Sequence, residues 1–302
     1  MNTDTDWTFD GTWPHPPQWS ATPDGRLHYV DLGPREAPPV VLLHGNPSWS
    51  YLYRALIGPL VADGRRVIAI DHLGFGRSDH PADPSVYAID RHVARLAALL
   101  GSLGLDRVTL VVHDWGAPIG LAWAVDAPDR LAGLVVLNGF VRPPTVDAPL
   151  PMPLGLRMFR LPGVGELAVQ GLHGLVRMFL FRAGRGDPRP LDPTAQRAYL
   201  APNPTYGARA GQLAFARAFP ATPAEPAAAL LDRIHRGLPA LRSVPTLLVW
   251  GERDAVFGPP TLSGWRADLP QAQVVTLPDA GHFALEDAPD AVVGAVQAFL
   301  RR

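Results

Sequence analysis

Short apolar runs separated by polar stretches that contain glycine and proline recur along most of the chain. Pro39–Leu43, Arg66–Ile70, Val108–Val112, Leu131–Leu137, Thr246–Trp250 and Gln273–Thr276 are rich in β-branched residues, which predicts short strands buried on both faces. Gly25–Asp31 is a further strand candidate, expected to pair with an earlier edge strand. Helical spacing follows in Arg91–Leu103, Trp115–Val125 and Pro289–Leu300. Strands alternating with helices predict an α/β protein whose mostly parallel central sheet is flanked by helices. The alternation breaks between Val141 and Leu241, where a proline-rich entry, Pro143–Pro153, leads into segments rich in Leu, Met, Phe and Arg. A helical excursion of about ninety residues is too long for a plain loop. Residues 141–241 are therefore expected to form an inserted helical cap over a main domain made of 1–140 and 242–302.

Composition narrows the partners. The 302 residues carry 27 basic and 28 acidic side chains, so charge gives no support for nucleic acid or an anionic membrane as partner. There is no cysteine, which excludes disulfides, a thiolate nucleophile and a Cys-ligated metal. Met1–Asp10 is polar and acidic, without the basic and apolar regions of a secretory signal, so a cytoplasmic protein is expected. No apolar run is long enough to span a bilayer. The chain shows no metal or cofactor signature, and none is expected.

The chemistry gathers at strand ends. After the strand Arg107–Val112 comes His113-Asp114-Trp115-Gly116, with Asp114 at a sharp turn into a helix. Asp114 has two readings here: a helix N-cap favoured by the helix dipole, or a nucleophile projected by the turn. After Pro39–Leu43 comes His44-Gly45-Asn46-Pro47, a tight turn whose backbone amides can face a developing negative charge. Asp71-His72-Leu73-Gly74-Phe75-Gly76-Arg77-Ser78-Asp79 is a glycine-dependent loop whose charged residues are expected to hold the loop rather than react. Gly251-Glu252-Arg253-Asp254 places an acid just beyond another strand, and Gly281-His282-Phe283 places a histidine beyond the last. The chain order Asp114, Asp254, His282 is the nucleophile, acid, base order of a hydrolytic triad.

On these motifs the chain resembles a haloalkane dehalogenase of the α/β-hydrolase superfamily across most of residues 25–300. The resemblance implies an α/β-hydrolase fold and hydrolytic dehalogenation of a small apolar halogenated alkane, with water as co-substrate and a halide ion as product. It implies that Asp114 is the nucleophile, His282 the base and Asp254 its orienting acid. Asn46 and Trp115 would be the halide pair, with their backbone N–H groups as oxyanion hole. Some members carry the acid as a glutamate after the strand that follows the elbow helix. Here that segment is Leu137-Asn138-Gly139-Phe140, with no acid, so the set resembles the third dehalogenase subfamily.

Each role has a chemical reason. A carboxylate displaces halide from an sp³ carbon to leave an ester, which water can cleave, whereas a serine would leave an ether. The leaving anion needs donors already in place, which an indole N–H and an amide supply. The same residues resemble those of β-lactone decarboxylases, which stay an alternative. Epoxide hydrolases are another, but they use two well separated cap tyrosines, and this cap offers only Tyr199 and Tyr206. A non-catalytic ligand-binding module would predict a damaged triad, and none is visible. For the pocket, Met158, Phe159, Met178, Phe179 and Phe181 fit core packing as well as lining. Trp49, just after the Asn46 turn, is the better candidate to line it. Trp7, Trp13 and Trp19 are expected to anchor the N-terminal arm.

Overall fold

The computed structural model describes residues 5–147, 150 and 152–301. Met1–Asp4, Ala148, Pro149 and Pro151 of the N-terminal arm and the proline-rich entry lie outside the described residues.

The chain begins with β1 (Gln18–Thr22), β2 (Gly25–Leu32) and β3 (Pro39–Leu43), then α1 (Arg54–Ala62), β4 (Arg66–Ile70) and α2 (Ile89–Ser102). It continues with β5 (Val108–Asp114), α3 (Gly116–Asp126) and β6 (Leu131–Gly139). Between β6 and β7 the described residues form helices and loops and no strand: α4 (Leu154–Phe159), two π-helical segments (Glu166–Gly171 and Leu175–Ala183), α5 (Pro193–Leu200), α6 (Ala210–Ala218), α7 (Pro226–Gly237) and two short 3-10 turns (Gly207–Arg209 and Leu238–Leu241). The sheet resumes with β7 (Thr246–Gly251), α8 (Pro259–Asp268), β8 (Gln273–Leu277), α9 (Ala284–Asp287) and α10 (Pro289–Leu300).

The sheet has eight strands in the order β1-β2-β4-β3-β5-β6-β7-β8. β2 is antiparallel to both its neighbours, and the other pairings are parallel. The edge partner expected before Gly25–Asp31 is β1. Every residue of β5 is buried, as a run apolar on both faces requires at the sheet centre. α3 is buried from Gly116 to Ala124, and α7 packs against it with Leu231 and Ile234 in the same core. At the carboxyl edge of the parallel strands, residues that end or follow β3, β5, β7 and β8 line a common cavity.

Two boundaries differ instructively from the sequence reading. β6 runs to Gly139 rather than Leu137, because Gly139 pairs across a register shift with Asp114 even though Asn138 and Gly139 break the apolar pattern. α3 begins at Gly116, with Trp115 as its first turn's flank. Among the described residues no helix is long and apolar enough to cross a membrane.

The loop Asp71–Asp79 is built around one carboxylate. Asp71 Oδ2 takes the His28 ring and the Arg77 backbone N–H, and Oδ1 takes the Ser50 N–H at 2.8 Å. A Cβ on Gly76, at φ +52°, would meet the Asp71 carboxyl at 2.2 Å, so glycine is required there.

Candidate active site

The elbow is shaped by what surrounds it. Asp114 ends β5 with φ +49°, a left-handed conformation rare outside glycine and costing ~1–3 kcal/mol. A Cβ on Gly116 would sit 2.1 Å from the Leu43 carbonyl, so only glycine lets α3 start this close to β3. A Cβ on Gly45 would sit 2.2 Å from Asp114 Oδ1, so glycine there lets the neighbouring amide reach the carboxylate. The Asn46 backbone N–H donates to Asp114 Oδ1 at 2.7 Å. The turn thus aims the Asp114 side chain away from its own helix and into a cleft.

β7 and β8 bring the other two members to it. Asp254 follows β7, and its Oδ1 accepts the backbone N–H groups of Val256 and Phe257 at 2.7 and 3.0 Å. Asp254 Oδ2 bonds His282 Nδ1 at 2.9 Å. His282 Nε2 faces Asp114 Oδ2 at 3.7 Å and has no hydrogen-bond partner. Asp114, Asp254 and His282 are all buried.

The two carboxylates are driven apart electrostatically. Burial raises the Asp114 carboxyl to about 6, against the opposing pull of the His282 charge and the backbone N–H groups of Trp115 and Asn46. Burial also acts on Asp254, yet the His282 charge and hydrogen bond and two backbone N–H groups outweigh it and hold that carboxyl low. His282 would be lowered by burial, but Asp254 and Asp114 together keep it above its ordinary value. Buried carboxyls pushed in opposite directions are a mark of divided chemical roles.

Asp114, Asn46, Trp115 and His282 line one end of a cavity of about 280 Å³ whose other walls include Leu156, Phe159, Leu175, Met178 and Phe215. Asn46 Nδ2 donates to the Gln212 carbonyl at 3.1 Å, and its Oδ1 is buried without a partner. The Trp115 ring is held edge-on by Phe140 and Phe215. All five residues singled out in the sequence therefore meet in one place. Among the described residues no group of three or more His, Asp or Glu side chains could hold a metal ion.

Of the apolar candidates, Phe159, Met178 and Phe179 line this cavity, while Met158 is exposed and Phe181 lies elsewhere. Trp49 corrects the expectation. It is buried against Trp7, Phe9, Trp13 and Tyr51, its Nε1 donating to the Ala198 carbonyl, because the N-terminal arm folds over it. Trp7 and Trp13 anchor that arm, and Trp19 packs on His28. Tyr199 donates to Glu286 and Tyr206 is half exposed; neither lines the cavity.

Sequence reasoning missed two positioning residues. Asn138 Nδ2 donates to Asp254 Oδ2 at 2.9 Å, while its Oδ1 accepts the Gly251 N–H. Asp287 Oδ2 accepts the N–H groups of Gly281, next to the histidine, and of Gly186, in the helical insertion, at 2.8 and 2.7 Å. Asn138 had a signal, as a buried polar residue ending a strand beside the elbow. Asp287 had none.

Comparison with known proteins agrees with this architecture. The model of the α/β hydrolase fold family matches residues 38–177 and 181–289. A cis-3-alkyl-4-alkyloxetan-2-one decarboxylase from Shewanella oneidensis is 37% identical, covering 91% of this chain and 85% of its own. Haloalkane dehalogenase 2 of Mycobacterium tuberculosis is also 37% identical, covering 94% of each chain. The crystal structure of the haloalkane dehalogenase DatA from Agrobacterium tumefaciens C58 superposes with a TM-score of 0.84 at 28% identity, covering 95% of this chain and 96% of that one. The chain therefore belongs to the α/β hydrolase fold family, as a hydrolase of its haloalkane dehalogenase-like group.

Proposed function

We propose that the chain hydrolyses haloalkanes to alcohol and halide through a covalent alkyl ester on Asp114, with residues 141–241 acting as the cap that closes the cavity. The carrying observation is the asymmetry of the Asp114 carboxylate, whose Oδ1 is tied to the Asn46 N–H at 2.7 Å while Oδ2 faces the cavity and the unpartnered His282 Nε2. In this reading Oδ2 attacks the carbon, a C–O bond forms, and halide leaves with the pair of the broken carbon–halogen bond. The Trp115 indole N–H and the second Asn46 amide hydrogen receive it.

Ester formation removes the Asp114 charge, one of the two that hold His282 high, so the imidazole is released as a base at that moment. It takes a proton from water, the water oxygen adds to the Asp114 carbonyl carbon, and the Asn46 and Trp115 N–H groups stabilise the oxyanion on Oδ1. Collapse breaks the ester C–O bond, the His282 imidazolium returns its proton to the leaving oxygen, and alcohol departs with the carboxylate restored.

A second reading is favoured by the relative with a decarboxylase's name, aligned along most of the chain. Attack of Oδ2 at the ring carbon of a β-lactone opens the C–O bond and leaves a carboxylate in the halide site. Loss of carbon dioxide then forms the alkene as the Asp114 carboxylate departs. That sequence needs no water and no base.

The variant His282→Phe separates the two. With a bromoalkane it accumulates an alkyl adduct on Asp114, seen as a mass increase that Asp114→Ala lacks, and turnover stops. With a cis-3,4-dialkyl β-lactone it keeps turning over and releases carbon dioxide if decarboxylation is the activity. Absence of adduct from every bromoalkane, together with lactone turnover, would reverse the order of the two readings.

A further inference from the structure

The near balance of charge over the whole chain hides a local excess. Between residues 154 and 183 the insertion carries four arginines and one acid, Glu166. Glu166 is taken by Arg217, and Arg160 by Glu225. Arg157, Arg177 and Arg182 are exposed, and among the described residues their side chains make no ion pair or hydrogen bond. The carboxylates next in the chain are engaged as well: Asp187 by Arg185 and Arg189, and Asp192 by the first backbone N–H groups of α5. Burial and the Arg177 charge hold the Arg209 guanidinium below its ordinary value, so Arg177 meets a second cation rather than a counter-ion.

The same stretch exposes hydrocarbon. Leu154, Leu161, Leu167, Leu172 and Met178 are each more than half exposed. Single exposed apolar side chains are ordinary, but several on adjoining segments mark a contact face. The segments do adjoin: Gly165 packs on the Phe159 carbonyl and Gly174 on the Ala168 carbonyl, with no room for a Cβ at either. Met178 belongs to both sides of this surface. It is 64% exposed, and it also lines the cavity that holds Asp114. Leu154 lies between Pro153 and Gly155, two further lining residues. The apolar patch therefore rims an opening of the cavity. Beside Met178, Arg177 and Arg182 line a surface hollow of about 220 Å³ together with Phe181 and Leu191. Two guanidinium groups over an apolar floor suit a phosphate ester that carries hydrocarbon, because the planar fork of arginine matches phosphate oxygens.

We infer that this face of the insertion docks on an anionic phospholipid bilayer, with Leu167 and Leu172 in the acyl boundary and a headgroup phosphate between Arg177 and Arg182, so that an apolar substrate enters the cavity from the membrane. An acidic protein would also attract the arginines, but an apolar cavity opening through the patch favours hydrocarbon outside it, where apolar reactants concentrate. The contact is peripheral, of the kind made by apolar side chains within a cationic rim.

Vesicle sedimentation of the whole chain tests this without substrate, so its outcome is separate from the chemistry of Asp114. Vesicles of equal parts phosphatidylglycerol and phosphatidylcholine are expected to bind the protein at least about tenfold more tightly than vesicles of phosphatidylcholine alone. Arg177→Gln combined with Arg182→Gln is expected to weaken binding to the anionic vesicles at least about tenfold, and Leu167→Ser combined with Leu172→Ser by a similar factor. Both double variants should keep the circular dichroism and melting temperature of the wild type. No binding of the wild type to anionic vesicles, equal binding to the two compositions, or binding that either folded double variant leaves unchanged would overturn the proposal. So would a wild-type dimer in analytical ultracentrifugation that the leucine variant disperses, since a second copy would then cover the face.

Discussion

The carboxyl edge of the sheet and the helical insertion face the same cavity, yet they hold it by different means. At the edge each contact depends on a particular side chain: Asp254 on His282, Asn138 on Asp254, Asp287 on Gly281. The insertion reaches the site largely through main-chain carbonyls. Gln212 O accepts from the Asn46 amide, and Gly184 O from the His282 N–H at 2.7 Å. A carbonyl belongs to every residue, so the insertion can brace the reacting groups while its side chains vary with the substrate. Its surface fits that freedom: Leu154, Leu167, Leu172 and Met178 are all more than half exposed.

Acid gives the strongest challenge to the edge. Attack requires the ionised Asp114, whose carboxyl burial has raised to about 6, so the charged form is lost as pH falls through that value. The kcat/KM for a bromoalkane is expected to drop about tenfold per unit below it, hence about a hundredfold at pH 4. A flat profile from pH 7 to 4, measured by halide release with the fold monitored by circular dichroism, would remove Asp114 from the alkylation step.

Asn138→Ala tests the next layer. It deletes a bond to the buried Asp254 carboxylate and the brace to Gly251, which is worth ~1–3 kcal/mol and corresponds to roughly a 5- to 150-fold loss in kcat. The loss should fall on ester hydrolysis, so pre-steady-state kinetics should show a larger burst of halide release, relative to the steady rate, than in the wild type. A loss confined to KM would mean that Asn138 shapes the cavity instead.

The smallest effect is expected where the insertion acts through its backbone. Gln212 is fully buried with neither side-chain polar atom partnered, while its carbonyl holds Asn46. Gln212→Leu should leave kcat within about threefold and stability unchanged or raised, because an unsatisfied buried amide is costly. A large fall in kcat would show that the side chain works in the site, and the contrast between the two regions would collapse there.

The same contrast explains what the sequence made legible. Asp114, Asn46, Asp254 and His282 each follow a short apolar strand and lie in a glycine-bearing turn, so periodicity and local stereochemistry locate them. Asn138 and Asp287 act on partners set by tertiary pairing rather than spacing, and Asn138 meets Asp254 across 116 positions of chain. Trp49 was misjudged because its burial comes from the N-terminal arm, whose course no periodicity reveals. The insertion's helical nature could be read, but its cavity-facing side chains could not. Leu, Met and Phe at helical spacing look alike whether they meet a core or a cavity, and the main-chain carbonyls that do the holding leave no trace in residue type.

The bond between Asn138 and Asp254 also bears on how such a triad can change over time. Asn138 Nδ2, from the end of β6, and His282 Nδ1, from beyond β8, converge on the same oxygen, each at 2.9 Å, from either side of β7. The end of β6 thus already presents a polar side chain at the oxygen that holds the imidazole, a second position from which an acid could approach it. A lineage can fill it, carry both carboxyls for a while, and later lose the first without the imidazole ever being left alone.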